Sequence, residues 1–201
     1  MGATDSTSDF RHPALLLIDL QRGFFADPGL TAWRQQITAN CNRLAAAAAR
    51  AGVPVFSVRT VHKEDRSTWT LKMLEDGQGY LFEGTAKAGY LEELELAGAI
   101  EVVKRRDSAF WNTELTTLLL QRRASSLVLA GVATDTCIRA TASDAFAANL
   151  PVAVATDACA SPDPQAGQNA LEYMSTQHRQ KLMDTEEIIY LWTRQEERKC
   201  H

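Results

Sequence analysis

Short apolar runs rich in branched residues recur along the chain, separated by stretches of helical character. ALLLIDL (14–20) predicts a buried strand. A loop containing FFADPG follows, then an alanine-dense helix over roughly 30–51 that Gly52 ends. VPVFSVRT (53–60) predicts a second strand, its proline at the start, where a missing donor is tolerated. AIEVVK (99–104), SLVLAG (126–131) and PVAVATDA (151–158) read as further strands, and EEIIYLW (186–192) as a closing one. Helices are expected near 89–97, 111–123, 134–150 and 164–183. The interval 62–90 carries no clear period and is rich in glycine and aromatics. A loop of that length inside a domain is usually functional or an oligomer contact; GYLFEGTAKAGY (79–90) is the candidate contact.

Repeated strand–helix alternation with continuous apolar strands argues for a parallel sheet covered on both faces. The expectation is an α/β, single-domain, Rossmann-like three-layer sandwich with a mostly parallel sheet of about six strands. No linker or internal repeat divides the 201 residues, a length that buries one sizeable core. A polar arm (1–12), one domain (13–192) and a polar tail (193–201) are expected. Chemistry in such sheets lies beyond the carboxyl ends of the strands.

Composition narrows the partners. A 45% hydrophobic and 23% charged chain with net charge −4 reads as globular, and its charges form no long block. Neither nucleic acid nor a membrane is expected as a partner. No apolar stretch reaches the roughly 18–20 residues that span a bilayer, and the first residues lack the apolar core of a secretory signal. The four cysteines (Cys41, Cys137, Cys159, Cys200) are scattered without a CxxC pair, which points to a reducing cytoplasm rather than a disulfide framework.

Three strand ends carry useful groups: Asp19 after the first strand, Lys104 after the third, and Cys137 in GVATDTCIRAT after the fourth. Taken singly, each has an ordinary reading: a turn carboxylate, a solvated lysine, a packed thiol. Together they put a base, a cation and a nucleophile at one edge of one sheet, with the start of a helix to help the thiolate. Asp157 reads as a turn cap, and Cys41 and Cys159 as packing.

LLLIDLQRGFF, VVKRRDSAFWNTEL and LVLAGVATDTCIRATASDAFAANLPVAVATDACAS resemble the signature segments of the isochorismatase-like cysteine hydrolases, a superfamily that includes nicotinamidase and N-carbamoylsarcosine amidase. The resemblance implies a catalytic triad of Asp19, Lys104 and Cys137. It also implies a cis peptide at Val132–Ala133 and an oxyanion hole formed by the Ala133 and Cys137 amides. The implied activity is hydrolysis of a carboxamide or ureido C–N bond in a small molecule through a thioester, by a homo-oligomer, dimer or tetramer. Pocket candidates by family position are Phe24, Phe25, Phe110 and Trp111, with Arg59, His62 and Trp69 from the variable loop; Arg59 is the candidate partner for a substrate carboxylate. Nicotinamidases carry metal ligands as Asp-x-His with a later histidine. Here Thr60 takes the aspartate position, His62 stands alone in a charged loop where a surface position is expected, and the next histidine is His178. No metal and no cofactor are therefore expected. A non-catalytic binding protein, a thiol redox sensor and a vinyl-ether hydrolase of the isochorismatase type remain as alternatives.

Overall fold

The structure, a computed structural model, describes residues 10–199. Six strands form one all-parallel sheet: β1 (Pro13–Ile18), β2 (Val55–Thr60), β3 (Ile100–Lys104), β4 (Ser126–Val132), β5 (Val152–Ala160) and β6 (Lys181–Met183). Their order is β3-β2-β1-β4-β5-β6, so the chain reverses direction across the sheet between β1 and β4. Among the described residues seven α-helices accompany them: α1 (Pro28–Thr31), α2 (Arg34–Arg50), α3 (Leu71–Asp76), α4 (Leu115–Gln121), α5 (Arg139–Ala147), α6 (Pro164–His178) and α7 (Thr185–Lys199).

Two cores explain the unbroken apolar strands. Leu15, Leu17, Val128 and Ala130 face Ile37, Cys41 and Leu44 of α2 and Ile188 and Trp192 of α7. Leu16, Ile18, Val58 and Leu129 face Leu115 of α4, Ala142 of α5 and Met174 of α6. Successive residues of one strand serve opposite layers, so neither parity is free to be polar.

Several boundaries differ from expectation. EEIIYLW is helix, not strand: Ile188 and Trp192, four apart, point inward together while Tyr190 is exposed. A reciprocal cap starts it, the Asp184 carboxylate accepting from the Glu187 amide (2.8 Å) and the Glu187 carboxylate from the Asp184 amide (2.8 Å). The last strand is instead the three-residue β6, at residues expected to be helical; α6 ends at His178, before Arg179, whose φ is +52°. Residues 89–97 form no helix, whereas α3 lies inside the expected loop, capped by the Thr70 hydroxyl and closed by Gly77 at φ +63°. Of the expected arm, residues 1–9 lie outside the described residues, as does Cys200; the Arg11 and His12 carbonyls accept hydrogen bonds from Ser125 and Ser126. The α7 backbone continues through residues 193–199 of the expected tail. Among the described residues no helix is long and apolar enough to cross a membrane.

Candidate active site

Three neighbouring strands end side by side at the carboxyl edge of the sheet. Asp19 follows β1 directly, with φ +56° and its amide donating to the Val58 carbonyl (2.8 Å). Thr60 and Lys104, paired in register, close β2 and β3. The fourth contributor comes from the other side of β1. Gly131 lies opposite Ile18 at φ +122°, and a Cβ there would sit 2.0 Å from the Ile18 carbonyl oxygen, so only glycine permits this approach. The Val132–Ala133 peptide is cis, and a π-helical turn, Thr134–Ile138, then delivers Cys137 over the same edge before α5 begins.

The side chains converge on Lys104. Its Nζ lies 2.7 Å from Asp19 Oδ2 and 3.3 Å from Cys137 Sγ, and it donates to Thr60 Oγ1 at 2.7 Å and to the Arg106 carbonyl at 3.1 Å. An ammonium has three hydrogens, so four acceptors share them, and sulfur, the most distant, holds its share most loosely. The Thr60 hydroxyl donates to Asp19 Oδ1 (2.9 Å), which makes it the bridge between carboxylate and ammonium. Gln21 fixes that bridge, its amide donating to the Thr60 and Ala88 carbonyls (2.8 Å each) and accepting from the Thr60 amide (2.8 Å). Asp19 and Lys104 are almost wholly enclosed, with side-chain exposures of 0% and 1%.

Burial, and then the Asp19 charge, push the Cys137 thiol well above its ordinary range, against the opposing pull of Lys104. Burial disfavours the Lys104 ammonium, yet the Asp19 carboxylate and Cys137 together raise it above its ordinary range. The resting centre is thus a buried ion pair beside a protonated thiol. Among the described residues, the Ala133 amide has no hydrogen-bond acceptor, while the Ala133 carbonyl accepts from the Thr136 and Ile138 amides.

The expected pocket residues divide. His62 is fully buried, contrary to the surface position expected for it. Its ring packs against Tyr80 (5.8 Å between centroids), and Tyr80 meets Phe24 edge-on at 6.2 Å. Phe25 is core. Arg59 points to the opposite face from Thr60 and is held by both carboxylate oxygens of Glu101 (2.9 and 3.0 Å), so a cross-strand ion pair takes the place of the expected substrate contact. Trp69 is buried, donating to the Lys63 carbonyl (2.8 Å) beneath Arg66. Phe110 packs on the second core, and Trp111 is exposed. Residues 79–90, the candidate oligomer contact, fold back on the site: the Leu81 carbonyl accepts from the His62 amide, and Ala88 meets Gln21. The sequence marks Thr60 only as the residue at the aspartate position of the metal set, not as a bridge, and marks neither Gln21 nor Tyr80.

These residues do not fit a metal centre. Among the described residues no three of His, Cys, Asp or Glu are grouped to hold an ion, and Thr60 is committed to Asp19 and Lys104.

The Isochorismatase domain family model matches residues 13–187. A protein of Arabidopsis thaliana named as a probable inactive nicotinamidase is 32% identical over 167 residues, covering 78% of this chain and 84% of its own. The maleamate amidohydrolase of Pseudomonas putida is 32% identical over 146 residues, 68% of this chain and 66% of its own. The crystal structure of an isochorismatase family protein from Desulfovibrio vulgaris superposes with a TM-score of 0.78 at 30% identity, covering 88% of this chain and 95% of that one.

Proposed function

The chain belongs to the isochorismatase domain family, and on that premise we propose that it is an amidohydrolase that uses Cys137 to cleave a carboxamide or ureido C–N bond of a small molecule. The observation that carries this reading is the position of Lys104 Nζ, touching Asp19 and Cys137 at once inside the protein. A relative's name as an amidohydrolase supports the reaction class. Residues 13–192 form the catalytic domain in this reading, and the enzyme is a cytoplasmic homo-oligomer that needs no cofactor.

In the mechanism, Asp19 takes the thiol proton as sulfur bonds to the substrate carbonyl carbon. The carbonyl electron pair moves to oxygen, where the Ala133 and Cys137 amides hold it. Collapse breaks the C–N bond, Asp19 returns the proton to the departing nitrogen, and ammonia or an amine leaves a Cys137 thioester. Water then attacks the thioester, giving its proton to Asp19. The C–S bond breaks, and sulfur recovers the proton. Lys104 pairs with the Asp19 carboxyl group and balances the thiolate as it forms. Because the resting thiol is protonated, its activation is coupled to substrate arrival.

The test is ammonia release across a panel of primary amides and ureido acids, with mass spectrometry of acid-quenched protein. A substrate acyl group on Cys137, and loss of release in Cys137→Ser, are the expected results; release that survives Cys137→Ala overturns the mechanism. Dialysis against a chelator should leave the rate unchanged. The relative named as probably inactive favours a second reading, a ligand-binding protein without turnover. That reading stands if panel members bind and none is hydrolysed.

A further inference from the structure

His62 Nδ1 lies 2.9 Å from the Thr68 carbonyl oxygen, which can only accept, so the ring proton is on Nδ1. The other nitrogen, Nε2, is then a bare lone pair. It is fully buried and has no hydrogen-bond partner. Buried acceptors are nearly always satisfied, and one left empty calls for a reason. Protonation is not that reason: burial and the cations Arg105, Arg106 and Lys104 hold the imidazole below its ordinary range, although the Thr68 contact works the other way.

The location supplies a reason. His62 stands two residues beyond Thr60, the bridge of the reactive centre. Tyr80, which packs against the His62 ring, is close enough to Cys137, Asp19 and Lys104 for their charges to act on its phenol. Tyr80 is 45% exposed, and its hydroxyl has no hydrogen bond among the described residues. Its contacts with His62 and Phe24 are between rings, and no side-chain hydrogen bond among the described residues ties it there.

We infer that His62 sets substrate specificity: once Tyr80 moves aside, Nε2 accepts a hydrogen bond from an N–H on the acyl side of the scissile carbonyl. The substrate class is then a ureido compound, or an amide with a second N–H donor, rather than a fully alkylated one. The inference rests on the amidohydrolase reading for which side of the ligand faces Cys137.

The test uses two probes that differ only at this group, N-carbamoylglycine and N-carbamoyl-N-methylglycine, titrated into Cys137→Ser protein carrying 15N-labelled histidine. The expected free state has a protonated Nδ1 and an unprotonated Nε2. N-carbamoylglycine should shift the Nε2 resonance and bind about fivefold or more tighter than its N-methyl analogue, the discrimination that one buried hydrogen bond provides. His62→Phe should abolish the preference while still binding the N-methyl probe. His62→Gln, which restores an acceptor and guards against a misfolded Phe variant, should recover part of it. A protonated Nε2, no response to N-carbamoylglycine up to its solubility, equal affinities, or a preference surviving His62→Phe overturns the inference. Binding is read without turnover, so discrimination in the absence of ammonia release from the wild type would sink the hydrolase reading and leave the role of His62 standing.

Discussion

Two aspartates stand toward the carboxyl ends of strands with thiols in electrostatic range, and they have opposite fates. Asp157, on β5, has Cys41 and Cys159 nearby. Its Oδ1 accepts from the Thr185 amide (2.9 Å) and hydroxyl (2.8 Å) and its Oδ2 from Asn40 (3.0 Å), so the carboxylate fastens α7 and α2 to the sheet. Every one of those donors is neutral. Asp19 has the neutral Thr60 and one cation, and that cation also reaches the sulfur. Burial raises both kinds of thiol, Cys159 to about 12. A carboxylate beside a thiol is therefore not by itself a reactive arrangement. The shared ammonium turns one such pair into a centre that can separate charge.

Removing each sulfur breaks the comparison most sharply. Cys137→Ser should lower ammonia release by at least about a thousandfold, whereas Cys159→Ser should leave it within about twofold. Removing the ammonium comes next: Lys104→Met leaves the Asp19 charge buried without its partner, and should cost about 3–5 kcal/mol in urea unfolding as well as the activity. A smaller effect separates charge from catalysis. Asp19→Asn removes a charge that holds the Cys137 thiol up, so at pH 8 iodoacetamide should modify Cys137 faster than in the wild type, even as turnover is lost. In the wild type, alkylation of Cys137 should still be climbing at pH 9, because its thiolate forms only above the ordinary thiol range. Smallest of all, Asp157→Asn should cost about 1 kcal/mol, the worth of a helix cap, with unchanged kcat.

How much of this was legible depends on what each residue interrupts. Asp19 and Lys104 each end an apolar strand pattern, Cys137 stands in the turn that follows another, and a parallel sheet sends all these ends to one edge. Thr60 does the same, but threonine is at home in strands, so its bridging role leaves no mark in the pattern. Tyr80 reaches the site through an interval with no period. His62 looked exposed because its neighbours in sequence are charged, yet the turn to Thr68 and the packing of Tyr80 bury it. The end of the chain misled for another reason. EEIIYLW is apolar enough for a strand, and the Asp184 and Glu187 side chains that cap it as a helix lie three residues apart, the spacing of a capping box. A three-residue strand such as β6 is too short to show any period.

The placement of β4 has a consequence for the chain as it leaves the ribosome. β1 is made first, yet one of its edges stays without a neighbour until Ser126–Val132 has been synthesised. Through that interval a wholly apolar strand presents unpaired backbone, a template for pairing with another nascent chain. Protection arrives with the same segment that carries Gly131 against Ile18 and leads into the turn that places Cys137, so the growing polypeptide leaves this exposed stage and completes the Asp19–Lys104–Cys137 cluster almost together.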